Sequence, residues 1–228
     1  MSPDEPRLDH RDWGRREYGS ALAEMRALRR ARRHGEIPDT LVLVEHPAVI
    51  TVGVQGADGD VLPEGIPTFH VERGGKSTYH GPGQLVGYPI VDLTARGRDV
   101  RRYVWDLEEV VIRALAEALV PAGRVDGQRG VWVDGRRKIA SVGIAVEEWV
   151  AFHGFAVNVD TDLSVFRSFR PCGLSGEVMT SVSRERGERV PVDDLRAPVR
   201  RAWDEIFGPP AGISRVEAVA PPEAPATP

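Results

Sequence analysis

The stretch Asp99–Leu119 constrains the fold more than any other. Val100, Tyr103, Val104, Leu107, Val110, Val111, Ala114, Leu115 and Ala118 recur at three- and four-residue spacing, which predicts a helix with one continuous apolar stripe. Asp99 is its candidate N-cap, and Pro121 and Gly123 end it. Around this helix the chain offers short strand-like runs. Thr40–Glu45 and Val49–Val54 flank His46-Pro47, and Thr68–Glu72 and Leu85–Leu93 bracket a glycine-rich stretch from Gly74 to Gly87. Gly130–Asp134, Lys138–Glu147 and Val150–Val159 follow, and Asp134-Gly135 between the first two is a hairpin signal. Two more helices are expected. One spans Trp13–Arg33, with Tyr18, Ala21, Leu22, Met25 and Leu28 on one face and arginines at its end, and the other Val192–Ile206. Gly56–Pro67 reads as loop. Helices flanking mostly antiparallel strands give an α+β class. One domain is expected over residues 1–208, followed by a disordered Pro/Ala-rich tail over 209–228.

Composition excludes several function classes. The net charge of −4 makes no case for nucleic-acid binding. No apolar run approaches the roughly 20 residues that span a bilayer. The polar N-terminus lacks a secretory core, so the expected location is the cytoplasm. One cysteine excludes an intrachain disulfide and a multi-cysteine metal cage. His80 and His153 have no acidic or cysteine partner at a recognisable metal-ligand spacing, so no metal is expected. His153, interrupting an apolar strand, reads first as a core histidine.

Three features could carry chemistry. Cys172 sits in Arg170-Pro171-Cys172-Gly173-Leu174. A lone cysteine is usually a small buried hydrophobe, but Pro171 and Gly173 put this one in a turn, and Arg167 and Arg170 favour a thiolate. Among the 30 basic residues only Lys76 and Lys138 are lysines. Arginine keeps its proton and lysine can be tuned, so each lysine is a candidate for proton chemistry. Lys138 is either a solvated basic edge beside Arg136 and Arg137 or a lysine that enters a strand and points into a site. The densest signal is Arg73-Gly74-Gly75-Lys76-Ser77-Thr78-Tyr79-His80-Gly81-Pro82-Gly83-Gln84. Its Gly-Lys-Ser is not a phosphate loop, because the required glycine five residues before Gly75 is His70. Its glycines let backbone N–H groups approach a ligand closely.

These pieces together resemble the octanoyltransferase family of lipoate biosynthesis, within the biotin/lipoate-ligase-like superfamily. The resemblance rests on Arg73–Gln84 with Gly87-Tyr88-Pro89, on Glu45-His46-Pro47 with Thr51-Val52-Gly53, and on Lys138-Ile139-Ala140-Ser141-Val142-Gly143. His153–Val159 and Pro171-Cys172-Gly173-Leu174 complete it, and the matches cover about residues 10–207. It implies a curved mixed sheet with flanking helices. It also implies transfer of octanoyl from octanoyl-acyl carrier protein to a lysine of lipoyl domains, without a cofactor. The acceptors would be 2-oxoacid dehydrogenase E2 subunits and the glycine cleavage H protein. Cys172 would be the acyl-thioester nucleophile and Lys138 the residue lowering its pKa. Arg73, Gly74, Gly75, Lys76, Ser77, Thr78, Tyr79 and His80 would line the acyl site with Ser141, Val142, Gly143, Gly154, Phe155 and Ala156. Carriers of this kind are acidic, so Arg29–Arg33 or Arg136–Arg137 are candidates for steering their docking. The competing readings are an ATP-dependent lipoate or biotin ligase, which needs no cysteine nucleophile, a non-catalytic carrier-protein binder, and a papain-like thiol hydrolase, whose local cysteine signature is missing.

Overall fold

The computed structural model describes residues 8–56, 63–167 and 176–208. Cys172 and the tail from Pro209 lie outside them. Among the described residues ten strands form two sheets. The seven-stranded sheet runs β1 (Leu8–Arg15), β2 (Asp39–Glu45), β6 (Gln84–Asp92), β10 (Val150–Asn158), β9 (Arg137–Glu147), β8 (Gln128–Val133) and β7 (Gly123–Val125). The small sheet places β3 (Val49–Val52) between β4 (Thr68–His70) and β5 (Ser77–His80). Both sheets are mixed: β1 pairs parallel with β2, β4 parallel with β3, and the other pairs are antiparallel. This is the α+β arrangement expected.

The large sheet is covered on both faces. Helix α2 (Val100–Glu117) and helix α4 (Asp193–Phe207) pack with Leu41, Leu43, Leu85 and Val157 into the larger core. Asp99 caps α2 as expected, accepting from the Arg102 N–H at 2.9 Å. Helix α1 (Tyr18–Arg33) covers the other face, where Val42, Val44, Val86, Tyr88 and Phe152 meet Tyr18, Leu22, Met25 and Leu28. Burial on both sides explains why Leu41-Val42-Leu43-Val44 is a continuous apolar run rather than an alternation. No helix among the described residues is long and apolar enough to cross a membrane.

The first helix begins later than its sequence suggests. Trp13 belongs to edge strand β1, held to α4 by ion pairs of Asp12 with Arg196 and Arg200 and by a 2.8 Å hydrogen bond between His10 and Asp204. Strand β5 was also hidden, inside the glycine-rich stretch, and a short helix α3 (Val182–Arg186) was not anticipated. The expected hairpin forms, with Asp134 and Gly135 both at positive φ, 50° and 65°.

Candidate active site

The site is built where the large sheet loses a neighbour. Strand β8 pairs with β9 only as far as Ala140, with an irregularity between Val131 and Trp132. Beyond that point the glycine-rich loop docks instead, and the Gly74 N–H donates to the Ile144 carbonyl at 2.8 Å. Arg73 shapes the loop from beneath. Its buried guanidinium donates to the Thr51 carbonyl and hydroxyl, both at 2.8 Å, and to the Gly74 carbonyl at 3.0 Å. Two cavities open on either side of the loop.

The first is a narrow, mostly apolar slot, with about 480 Å³ of empty space counted to its mouth. Arg73, Gly74, Gly75, Thr78, His80, Ser141, Val142, Gly143, Gly154, Phe155 and Ala156 line it, together with Tyr18, Val86, Tyr88 and His153. Eleven of the fourteen acyl-site residues named from the sequence thus meet around one space. The pleat of β5 separates the others: Thr78 and His80 face the slot, whereas Ser77 is buried outside it and Tyr79 packs edge-on against Phe166, 5.6 Å between centroids. Lys76 lines the second cavity.

Tyr18, Tyr88 and His153 were not anticipated as lining. Tyr18 read as one residue of a helix stripe, and Tyr88 as strand. For His153 strand alternation is misleading. At φ 59° its side chain leaves the strand alternation while the pairing with β9 keeps its register, so the Phe152 and His153 rings stack 5.0 Å apart. Gly154 follows at φ 158°, where a Cβ would stand 2.3 Å from the Gly87 carbonyl oxygen. The glycine after the histidine was the available clue. His153 is buried and its Nε2 makes no hydrogen bond. Burial pushes its pKa down. Glu72 lies 3.7 Å away, its own carboxyl held well below the usual range by His153 and by the Arg26 fork. The His153 separation is long for a hydrogen bond, so the two 2.9 Å bonds from Arg26 do more of that work.

Behind the slot lies a buried polar network. The Gln84 amide N–H donates to the Tyr79 carbonyl and to Asn158 Oδ1, and Asn158 donates to the Thr180 carbonyl at 3.0 Å. Backbone carbonyls only accept, so both amide orientations are fixed. Gln84 Oε1 therefore accepts, and His80 Nδ1, at 2.8 Å, carries the proton. Burial, with His46 nearby, pushes the His80 pKa down to about 3. His80 is thus a neutral imidazole whose Nε2 is an acceptor. His46, bonded to the Tyr88 hydroxyl at 2.8 Å, is pushed down to about 4 by burial.

The second cavity is larger and more polar, about 920 Å³ counted to its mouth. Lys138 stands in it, opposite Trp132 on β8. The Lys138 side chain is 5% exposed, with Nζ 5.4 Å from the Trp132 ring centroid, a cation–π distance. Gly130 makes room for its stem: a Cβ there would come within 2.8 Å of Lys138 Cε. Of the two readings of Lys138, the solvated basic edge does not hold: the residue is buried and lines a cavity. The chain that follows the Cys172 segment returns here, with Met179 bridged to Lys138 and the Thr180 N–H donating to the Lys138 carbonyl at 2.9 Å.

The arginine clusters are largely engaged in ion pairs within the protein. Arg29, Arg32 and Arg33 pair with Glu147, Glu148 and Asp39, and Arg137 with Glu185 and Asp134. Arg136 is exposed. In the glycine loop the Gly74 N–H is committed to the Ile144 carbonyl, and Gly143 lies in the ladder opposite Gly154.

A family model described as "Lipoyl protein ligase A/B catalytic domain" matches residues 17–203. An octanoyltransferase of Geobacter metallireducens is 47% identical over 189 residues, 83% of this chain and 88% of that protein. One of Mycobacterium tuberculosis strain H37Rv is 46% identical over 197 residues, 86% of this chain and 85% of that protein. Among solved structures, the putative lipoate protein ligase Ta0514 of T. acidophilum with bound lipoic acid superposes with TM-score 0.71 at 20% identity, covering 89% of this chain and 86% of that one. A biotin protein ligase of Aquifex aeolicus reaches 0.51 at 11% identity, covering 88% and 68%. At such identities the likeness shows the fold alone.

Proposed function

The chain belongs to the lipoyl protein ligase A/B catalytic-domain family, and from that premise we propose that this acyltransferase moves octanoyl from octanoyl-acyl carrier protein, through a thioester on Cys172, to a lysine of lipoyl domains. The observation that carries the reading is the meeting of two unlike cavities at one glycine loop. An apolar slot suited to a medium acyl chain shares Gly74, Gly75 and Val142 with a polar cavity holding Lys138.

The chemistry balances without ATP. The Cys172 thiolate attacks the donor thioester carbonyl, the tetrahedral adduct collapses, and the donor thiolate leaves, taking the Lys138 ammonium proton and leaving Lys138 neutral. One thioester replaces another, so the exchange is nearly isoenergetic. The acceptor lysine amine then attacks the Cys172 thioester, the C–S bond breaks, and the stable amide forms. Lys138 as ammonium favours the thiolate in the first step. As neutral amine it takes the proton released in the second. The N–H of Gly75 holds the oxyanion. Small residues at 143 and 156 leave room for the chain, and Phe155 closes one wall.

Incubation with octanoyl-carrier protein and no ATP should add one octanoyl mass to Cys172, and Cys172→Ser should abolish transfer. An adduct on another residue, or none until ATP and free octanoate are supplied, would replace this reading with the ligase. Lys138→Met should raise the pH at which Cys172 is alkylated. An unchanged profile would remove Lys138 from the first step.

A further inference from the structure

The second cavity has a chemistry that acyl binding does not use. Its lining among the described residues carries three basic side chains, Lys76, Arg129 and Lys138, two glutamines, Gln55 and Gln128, and no carboxylate. That is unusual in a chain of net charge −4. The nearby arginines are spent: Arg124 pairs with Glu108 and Glu109, and Arg137 with Glu185 and Asp134. Lys76 and Arg129 make no ion pair with any described residue. Arg129 also overhangs the wall between the cavities, its Nη1 3.8 Å from where a Gly74 Cβ would stand. Gly74 is not in the left-handed region, and nothing lies closer to that Cβ than 3.6 Å. Neither backbone nor packing therefore demands glycine at 74. What a side chain there would take is the open space under Arg129.

We propose that this cavity is the subsite for the acyl donor's leaving group, a thiol-terminated amide arm ending in phosphate, with Arg129 and Lys76 receiving the phosphate and Gln55 and Gln128 facing the amides. The inference rests on the octanoyl-transfer reading and extends it to residues outside the acyl slot. A ligand entering here runs from anion, through hydrogen-bonding groups, past Gly74–Gly75 to the apolar slot. A phosphopantetheine arm bearing an octanoyl thioester has that order. An acyl-adenylate shares the phosphate but offers a nucleoside where the arm offers amides.

The test compares octanoyl-phosphopantetheine with octanoyl-pantetheine as donors, reading the ratio of their kcat/KM for loading Cys172. The ratio is expected to be about ten or more in the native enzyme and to fall toward one in Arg129→Gln and Lys76→Gln, whatever the absolute rates. A native ratio near one, or a ratio untouched by both variants, overturns the proposal. Calorimetric titration of phosphopantetheine against pantetheine reads the same preference without catalysis. If neither thioester loads but the phosphate preference and its loss in the variants persist, the transfer reading fails and the phosphate site stands. Displacement of phosphopantetheine by AMP at lower concentration assigns the cavity to a nucleotide and overturns the arm.

Discussion

The two faces of the large sheet are made of the same strands and do different work. Under α2 and α4 the buried surface is almost wholly apolar, from Leu41 and Leu85 to Trp203 and Phe207. Under α1 and the small sheet the same strands bury Tyr18, His46, His80, Tyr88 and His153, an array of polar rings around the slot. The first face could be repacked with other hydrophobic side chains of similar volume. The second cannot, because each polar ring is desolvated and held in a fixed protonation state by its neighbours. One face supplies stability, and the other gives some of it up to hold a site.

The largest test of that division strikes the apolar face. Trp203 is fully buried and stacks on Phe207 at 4.0 Å between centroids. Trp203→Ala should cost about 3–5 kcal/mol in urea unfolding, with kcat/KM for octanoyl transfer near native on the fraction that remains folded. A stable variant with lost activity would erase the distinction between the faces.

The next test uses pH. His46 and His80 have folded pKa values pushed down from 6.5 to about 4 and about 3. The unfolded chain then binds more protons than the folded one below pH 6.5, so stability is full above that pH and is lost as pH falls toward the folded values. At pH 5 each histidine withdraws of order 2 kcal/mol. The native protein should melt well below its pH 7 temperature at pH 5, and His46→Asn with His80→Asn should flatten that slope. Equal melting temperatures at both pH values would mean that the polar face carries no such cost.

The same contrast explains what was legible in the sequence. The apolar face announces itself through periodicity: the α2 stripe, the β2 run and the α4 helix lie within a residue or two of their expected bounds. Strand β1 was missed because its polar residues pair by charge with α4 instead of burying an apolar face. At the site, Lys138 and most of the Arg73–His80 string were readable from residue type and resemblance. Tyr18 was not, because a tyrosine on a helix stripe does not say whether it faces core or cavity. His153 was not, because one positive φ undoes strand alternation. Arg129 was not, because an arginine's meaning depends on which acids stand near it, and only the fold places Glu108 and Glu109 with Arg124 instead.

The smallest structural change should give the cleanest separation, at two glycines of the same slot. A Cβ on Gly154 would stand 2.3 Å from the Gly87 carbonyl oxygen and 2.4 Å from Pro89 Cδ, at a φ of 158°. Gly154→Ala must move backbone, so it should lose stability and activity together. Gly74 offers a Cβ ordinary contact distances and a compatible φ. Gly74→Ala should leave stability unchanged or raise it by about 0.4–1 kcal/mol, since alanine restricts the unfolded chain. Its methyl would nonetheless enter the wall shared by slot and cavity, so kcat/KM for acyl transfer should fall. A loss of stability at Gly74 matching that at Gly154 would show that its glycine serves the fold. A stable protein with weakened transfer would show that it is kept open for what passes between the cavities.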